Sequence, residues 1–518
     1  MGPDPSGQPS PEDQAPSGIA ISWEPGAKGA TLRWTPADNP SIQGYLIYRT
    51  ASQPQTAVRD YKRLSTDVLS APSFQDVELP NADQWFYYQV VSLLEGGKEG
   101  PPSRSARICG NVQFIPNALG RRAELVFVDG QLLRQVNTQS EMAVGRYCVD
   151  GSDPGIPRLF IQLSPRQNIA NAIIEVSGQN AFLPNLAINA KNNLVIRKIR
   201  FQHAGVRAWN FGGINISGGK NILIEDNEFS YNNSDGIHCG GMDDFTFRRN
   251  RCVANGGGGF GGTGRTNWLF EDNECSSNGW RATTLGGQAQ WFHAGIKTGF
   301  GLRNAIFRNN RMTANACIGF WLDTDMENVL IDKLMCTDNQ RDGMWWEAAL
   351  GPGMVTNSRF ERNQGYGLRI ADAGGLTLDG NTISDNSRAQ ICIAMSWYQE
   401  QAGRPVKNRV TGETAFGGAR PNTWTRNTIA ALRADQMIVA FEWGSLPSYQ
   451  AFLKNLSASG NTYWHPTTPR AFMSPLAGSL IKLDLDQWSK ITGAGKPQDT
   501  GASGTRWQQS APTSIDVD

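Results

Sequence analysis

Residues 213–239 read GINISGGKNILIEDNEFSYNNSDGIHC, and residues 319–347 read GFWLDTDMENVLIDKLMCTDNQRDGMWWE. Each stretch opens on a glycine before alternating apolar residues, and each ends as that opening begins again. Along the chain the start recurs at Gly213, Gly236, Gly259, Gly295, Gly319, Gly343 and Gly367, then at Gln390. The steps are 23, 23, 36, 24, 24, 24 and 23 residues; the long one holds a repeat plus an insertion around 277–292. A second column, Asn227, Asn250, Asn273, Asn310, Leu334, Ser358 and Asn381, keeps the same register. A fixed period of this size marks a stacked repeat architecture. Runs rich in β-branched and aromatic residues, without helical periodicity, make it a β-solenoid. The asparagine column predicts a ladder of side-chain amides at one turn. A second strand per repeat follows in NILIEDNEF, DDFTFRRNRC, NWLFEDNEC, NAIFRNNRM and NVLIDKLMC. There Cys252, Cys275 and Cys336 share a column with Met312, a buried stack of apolar side chains.

Counting from each glycine separates the two faces of the first strand. Positions +1 and +3, such as Ile237/Cys239, Ile296/Thr298, Phe320/Leu322 and Met344/Trp346, are mostly apolar and point inward. Positions +2 and +4 then point out. At +2 stand Asn215, His238, Gly261, Lys297, Trp321, Trp345 and Arg369; at +4 stand Ser217, Gly240, Gly299, Asp323, Glu347 and Ala371. Exposed tryptophans are unfavourable unless they bind something, and flat aromatic faces suit sugar rings. A binding groove is therefore expected here, with Trp321 and Trp345 as sugar platforms and His238, Lys297 and Arg369 orienting hydroxyl or acidic groups. Asp325 falls at the groove edge, and His293 and Asp372 complete the set. The run GGGGFGGTG (256–264) is followed by no helical pattern, so it leaves space beside His238 and Lys297 rather than cradling a phosphate.

Asp323 and Glu347 occupy the same position in consecutive repeats. Stacked strands lie about 4.8 Å apart, which brings the carboxyl groups near the ~5–5.5 Å of retaining glycosidases. Glu347, in MWWEA, is flanked by tryptophan and alanine, and desolvation would hold it protonated as a general acid. Asp323, in FWLDTD, is the ionised partner and nucleophile, with Lys297 as a cationic neighbour.

The rest of the chain sets the context. Among 518 residues, 48 basic and 47 acidic side chains leave a formal net charge of +1, which argues against a nucleic-acid partner. No apolar run reaches ~18 residues, so no membrane span is expected. Four scattered histidines and the lack of a Cys-x-x-Cys pair argue against a metal site. A disulfide stays open, with Cys109 and Cys148 the candidate pair. Residues 1–17 are rich in proline, serine and glycine and lack an apolar core, which suggests a disordered leader. The protein is expected to be secreted or periplasmic, its export signal not present in this sequence. Residues 18–108 alternate in short strands with Trp34 central, as in a β-sandwich. Residues 109–189 read as a β-rich entry region and first rungs, 190–480 as the solenoid, and 481–518 as cap and tail. After 396 the repeat decays to late rungs at RNTI (426–429) and SGNTYW (459–464), an edge strand at 437–443, and a short helix in LDLDQWSKITG (483–493).

Two resemblances follow. ATLRWTPADNPSIQGYLIYRT and WFYYQVVSLLEGGKEGPPS resemble a fibronectin type III domain, which implies a spacer or binding accessory. ELVFVDGQLLRQV, IIEVSGQNAFLPNLAINAKNNLVIRKIRFQHAG, GFWLDTD and GMWWEAALGPGMVTNSRF resemble the β-helix glycosidases of glycoside hydrolase family 120 and related families. That resemblance implies a right-handed parallel β-helix of the pectate-lyase-like type. It also implies that the Asp of WLD, Asp323, is the nucleophile and the Glu before GP, Glu347, the acid/base. The expected activity is retaining hydrolysis of plant or microbial polysaccharide or oligosaccharide, xylosidase-like or related, without a cofactor. A polysaccharide lyase or C5-epimerase remains an alternative, with Lys297 or Arg369 as base and Ca²⁺ possible as helper. A polygalacturonase-like hydrolase is disfavoured, because Asp243 and Asp244 of MDDF fall outside the groove column. A non-catalytic carbohydrate-binding solenoid is the other alternative.

Overall fold

The computed structural model describes residues 15–22, 29–51, 61–77, 86–108, 112–116, 124–150, 158–164, 167, 171–177, 187–189, 191–205, 212–283, 293–398, 401–467, 470–476, 479–489, 492–493, 496–497 and 506–507. Most of the 1–17 leader, Cys109, half of the 277–292 insertion and nearly all of the tail fall outside these. The chain divides into two compact units, residues 1–175 and 176–518.

In the first unit, strands Ser17–Ser22, Ala30–Thr35 and Ser73–Asp76 form one antiparallel sheet. Ile42–Thr50, Lys62–Arg63, Phe86–Leu94, Glu99–Pro102 and Ala106–Ile108 form another. Leu32 and Trp34 of the first share one core with Tyr45, Ile47, Phe86, Tyr88 and Val90 of the second. The sheets are therefore packed face to face. The buried Asp76 carboxylate ties them further, accepting from Arg49 at 2.6 Å and from the Tyr88 hydroxyl at 2.7 Å.

The second unit is a parallel β-helix. Each full rung contributes a strand to three long sheets, as in Asp235–Gly240, Asp243–Arg248 and Arg251–Val253. The expected two strands per rung are three. A single left-handed residue, such as Asp226, Arg249 or Asp272, bends the chain between the second and third strands without any Gly or Pro signal. The repeat columns are the observed register: His238 pairs with Gly261, Lys297 with Trp321, Trp345 with Arg369.

The asparagine ladder exists, and there are two. Asn227, Asn250, Asn273 and Asn310 line the first; the side-chain oxygens of the last three each accept the backbone and side-chain N–H of the asparagine one rung before. Asn232, Asn255, Asn278, Asn315, Asn339, Asn363 and Asn386 line the second, which ends on Gln390. The second ladder explains the glycine column. A Cβ on Gly343 would lie 2.6 Å from the Gly367 carbonyl and 2.7 Å from the Asn363 amide nitrogen. Inside, the solenoid is filled by a stack of aromatic rings; Phe270 and Phe307 lie 4.9 Å apart and Phe201 and Phe229 5.2 Å apart. Each such ring taken out of water contributes about 1.5–3 kcal/mol. Cys252, Cys275, Met312 and Cys336 stack in register within it, fully buried.

Past residue 396 the rungs continue more regularly than the sequence suggests. Met437–Glu442 is no edge strand: it pairs in parallel with Ala389–Ala394 and is followed by Phe472–Leu476 and antiparallel Ser479–Leu483. A helix at Leu446–Lys454 escaped notice, although Ser445 caps it by accepting from the Ser448 N–H and Tyr449, Phe452 and Leu453 form its buried stripe. The short helix near the end is Leu485–Ser489, its Trp488 stacked 5.2 Å from Phe472. Among the described residues no helix is long and apolar enough to cross a membrane.

Candidate active site

The first sheet places Asp323, last residue of strand Ile318–Asp323, beside Glu347, last residue of Met344–Glu347. Both side chains leave the sheet just before the rung turns, where Thr324 and Ala348 take left-handed backbone angles. Arg404 joins them. Its Nη2 donates to Glu347 Oε1 at 2.8 Å and reaches Asp323 Oδ1 at 3.5 Å. One nitrogen on both groups holds those two oxygens within about 6 Å of each other. Asp323 also accepts from the Thr324 hydroxyl at 2.8 Å and faces Lys297 Nζ at 3.7 Å. Glu347 accepts from the Trp321 indole at 2.9 Å. Burial and the charge of Asp323 push its carboxyl up to about 7, against the pull of Arg404, Lys297 and Trp321. Burial lowers Lys297 from the usual lysine range, opposed by Asp323, Glu347 and Asp235.

The tryptophans are not exposed platforms. Trp321 is 2% and Trp345 4% exposed, and they pack on Ala294 and Ile318 in a cluster of their own on the outside of the sheet. Lys297 Nζ sits 3.4 Å over the Trp321 ring. Arg369 covers Trp345 and is itself buried, 4.4 Å from the Trp443 ring and ion-paired to Asp342 and Glu442. These side chains do point outward from the sheet, but residues arriving later in the chain cover that face. Arg369 thus serves a buried network, where its planar cation is stacked and paired. Asp325 is not at an open edge either: it is buried, paired with Arg303 at 2.6 Å, and accepts the Arg409 N–H at 2.9 Å. Asp372 accepts from the N–H and hydroxyl of Ser396 and so fixes the start of the covering loop.

Toward the earlier rungs Asp323, but not Glu347, lines a cavity of about 340 Å³, together with Asp235, His238, His293, Lys297 and Arg409 among others. Glycines of the 256–264 run also line it, and at Gly261 a Cβ would stand 2.4 Å from Asp235 Oδ2 and 2.8 Å from His238 Nδ1. Asp235 is buried and accepts the Gly258 N–H at 2.6 Å. Its oxygens face His238 Nδ1 at 3.5 Å and His293 Nδ1 at 3.3 Å. Burial raises its carboxyl, but these two histidines outweigh that and hold it well below the usual carboxylate range. Among the described residues no group of three or more His, Cys, Asp or Glu side chains is placed to hold a metal ion.

Asp235, Asp342, Arg404 and Arg409 were missed. Asp235 and Asp342 stand one residue before the repeat glycine, where strict alternation assigns an inward side chain. The outer cluster shows that this position shares a face with +2, because the chain breaks alternation at the glycine. Arg404 and Arg409 lie in the 396–420 loop, 57 and more residues from Glu347, where no periodicity reaches.

A family profile described as right handed beta helix region matches residues 166–332 and 212–399. The solenoid is accordingly a right-handed parallel β-helix. No curated protein matches the chain. Among solved structures it is similar to the A-module of an Azotobacter vinelandii mannuronan C-5 epimerase, with 14% identity, 53% of this chain and 73% of that chain covered, and a TM-score of 0.30. A Streptococcus pneumoniae surface protein and adhesin is similar at 10% identity, covering 54% and 84%, with a TM-score of 0.35. A Yersinia enterocolitica family 28 exopolygalacturonase is similar at 8% identity, covering 87% and 92%, with a TM-score of 0.22.

Proposed function

We propose that the chain is an exported retaining glycoside hydrolase, of the kind its WLD and E…GP motifs resemble, acting on plant or microbial glycans. The observation that carries this is the Asp323–Glu347 pair, held together by one guanidinium, with the glutamate pushed up to about 7. Asp323 attacks the anomeric carbon while Glu347 gives its proton to the departing glycosidic oxygen. Glu347 then takes a proton from water, which displaces Asp323 and releases the sugar. Lys297 sets a positive charge beside the attacking carboxylate, and Thr324 donates to it. His238 and His293, oriented by Asp235, present polar groups to the sugar in the cavity. The face-to-face sheets of the first unit, with Trp34 in their core, fit a fibronectin type III-like accessory domain.

A second reading is elimination or epimerisation at a uronate, and the lowered Lys297 in the same cavity favours it as base. Arg369 drops out of that role, being buried and doubly ion-paired. The deciding experiment is reducing-sugar release from a panel of polysaccharides and aryl glycosides, with ultraviolet absorbance of unsaturated uronates followed in parallel. Activity without new absorbance, lost in both Asp323→Asn and Glu347→Gln, is the expected result. New absorbance that survives both substitutions would establish the lyase instead. Binding of glycans without turnover would leave a carbohydrate-binding solenoid.

A further inference from the structure

On the side of Glu347 away from the cavity, the first sheet carries an aromatic ring that the catalytic scheme does not use. Trp443 follows Glu442, which stands in the column of Asp323 and Glu347 with Ala371 and Ala394 between. The residues at the same place in earlier rungs, Thr324, Ala348 and Asp372, are left-handed like Trp443 (φ 64°) but short. That conformation is unfavourable for a bulky side chain, so a large ring kept there has a reason outside the local backbone. The ring is also fixed. One face lies on the Arg369 guanidinium, 4.4 Å from the ring centre. That cation is 3% exposed and paired to Asp342 at 2.8 Å and Glu442 at 2.7 Å. Trp345 meets the ring in a T-shaped contact, 5.7 Å between centres. Trp345 lies on the strand that ends on Glu347 and packs in turn on Trp321, 4.8 Å away. Trp321 and Trp345 are covered, whereas Trp443, the outermost of the series, stays 60% exposed with its other face open. A flat apolar face held rigid in advance suits the C–H face of a pyranose ring, because little side-chain freedom is lost when it is covered. The cavity lined by Asp323 lies toward the earlier rungs, so a ligand reaching both must hold more than one sugar.

We propose that the open face of Trp443 is a stacking platform for a further pyranose ring of a glycan, which makes the substrate a chain rather than a single sugar on a small aglycone. This rests on the Asp323–Glu347 region being a glycan site, but not on which bond is broken there.

The test is binding to the full chain by titration calorimetry and saturation-transfer NMR, the latter also showing whether the ligand stays intact. The probes are xylotriose, cellotriose, mannotriose and trigalacturonate, each beside its monosaccharide. At least one trisaccharide is expected to bind roughly tenfold tighter than its monosaccharide, about one aromatic stacking contact's worth. Trp443→Ala should collapse that preference, and Trp443→Phe, a smaller flat face, should keep part of it. No trisaccharide preference, or one that survives Trp443→Ala, would overturn the proposal. Trp443→Ala also uncovers Arg369, so a second measurement leaves the chain unsubstituted and decides alone if the variants do not fold. Oxidation by N-bromosuccinimide, located by peptide mass spectrometry, should reach Trp443 early and be slowed there by the trisaccharide but not by the monosaccharide. Oxidation that the trisaccharide leaves unslowed would overturn the proposal. Slowing that follows protein concentration without sugar would assign the ring to a second copy of the chain and overturn it too. Trp443-dependent binding without hydrolysis spares this inference and sinks the hydrolase. Hydrolysis of single-sugar glycosides with no preference for chains does the reverse.

Discussion

Glu347 is the residue on which the chemistry turns, and its surroundings act on it in opposite senses. Burial and Asp323 push its carboxyl up to about 7, while Arg404, Lys297 and Trp321 pull it down. A general acid works protonated, so kcat/KM should hold on the acid side and fall as pH rises through about 7. Arg404→Gln removes one of the downward pulls, so the alkaline limb should move to higher pH. Matched pH–rate profiles read this directly, and an unmoved limb would mean that Arg404 does not act on Glu347. The same shift bears on stability. A carboxyl raised above its unfolded value of about 4.5 favours the fold in its protonated form; that contribution is complete below about 4.5 and is lost as pH rises through about 7. Glu347→Gln cannot ionise. Its melting temperature should therefore fall less than that of the wild type between about pH 5 and about pH 8. Equal falls would show that the carboxyl titrates as it would in water.

The hairpin of Pro405–Lys407 and Thr414–Phe416 is the element that completes the site, and it hangs on Asp325. Arg303 donates to the Asp325 carboxylate and carbonyl at 2.6 Å each, and to Asn408 of the hairpin at 3.3 Å. Asp325→Asn leaves Arg303 only its more exposed carboxylate partner Glu327, 3.0 Å away, so the loss should be smaller than the about 3–5 kcal/mol typical of breaking a buried pair outright. Amide exchange across 405–416 should accelerate and the melting temperature should drop; unchanged exchange would detach the hairpin from Asp325. This element also shows where sequence reading stops. The columns of the first sheet were legible because each rung repeats the same inside–outside alternation, so Asp323 and Glu347 fell into register on paper as they do in space. What covers those columns was not legible. Arg404 and Trp443 reach the site from loops with no repeat, and they turn expected platforms into buried supports. Asp235 was hidden for a different reason, since alternation fails at the one column where the second ladder demands glycine.

Across the whole solenoid, stability is close to a sum over neighbouring rungs, so the position of a defect should matter more than its chemistry. Asn339 and Asn461 make this testable. Asn339 sits at the turn between the rung of Asp323 and that of Glu347. Its oxygen accepts from Asn315 at 3.1 and 2.9 Å, and its amide donates to the Met312 carbonyl at 3.0 Å and to Asn363 at 2.9 Å. Asn461, on the other ladder near the far end, accepts from the Asn427 backbone and side-chain N–H and donates to the Trp424 carbonyl. Replacing either by alanine leaves buried polar groups unpaired, at about 1–3 kcal/mol each before relaxation. In Asn461→Ala the loss should stay with the last rungs, and the catalytic rungs should keep both their amide protection and their activity on heating. In Asn339→Ala the stack is broken between the two carboxylates, so protection of 318–347 and activity should fall together, at a lower temperature than in the wild type. Hydrogen exchange read beside residual activity separates the two cases. Equal effects of the two substitutions at the site would mean that the solenoid unfolds as one cooperative body, with the ladders coupling distant rungs rather than neighbours.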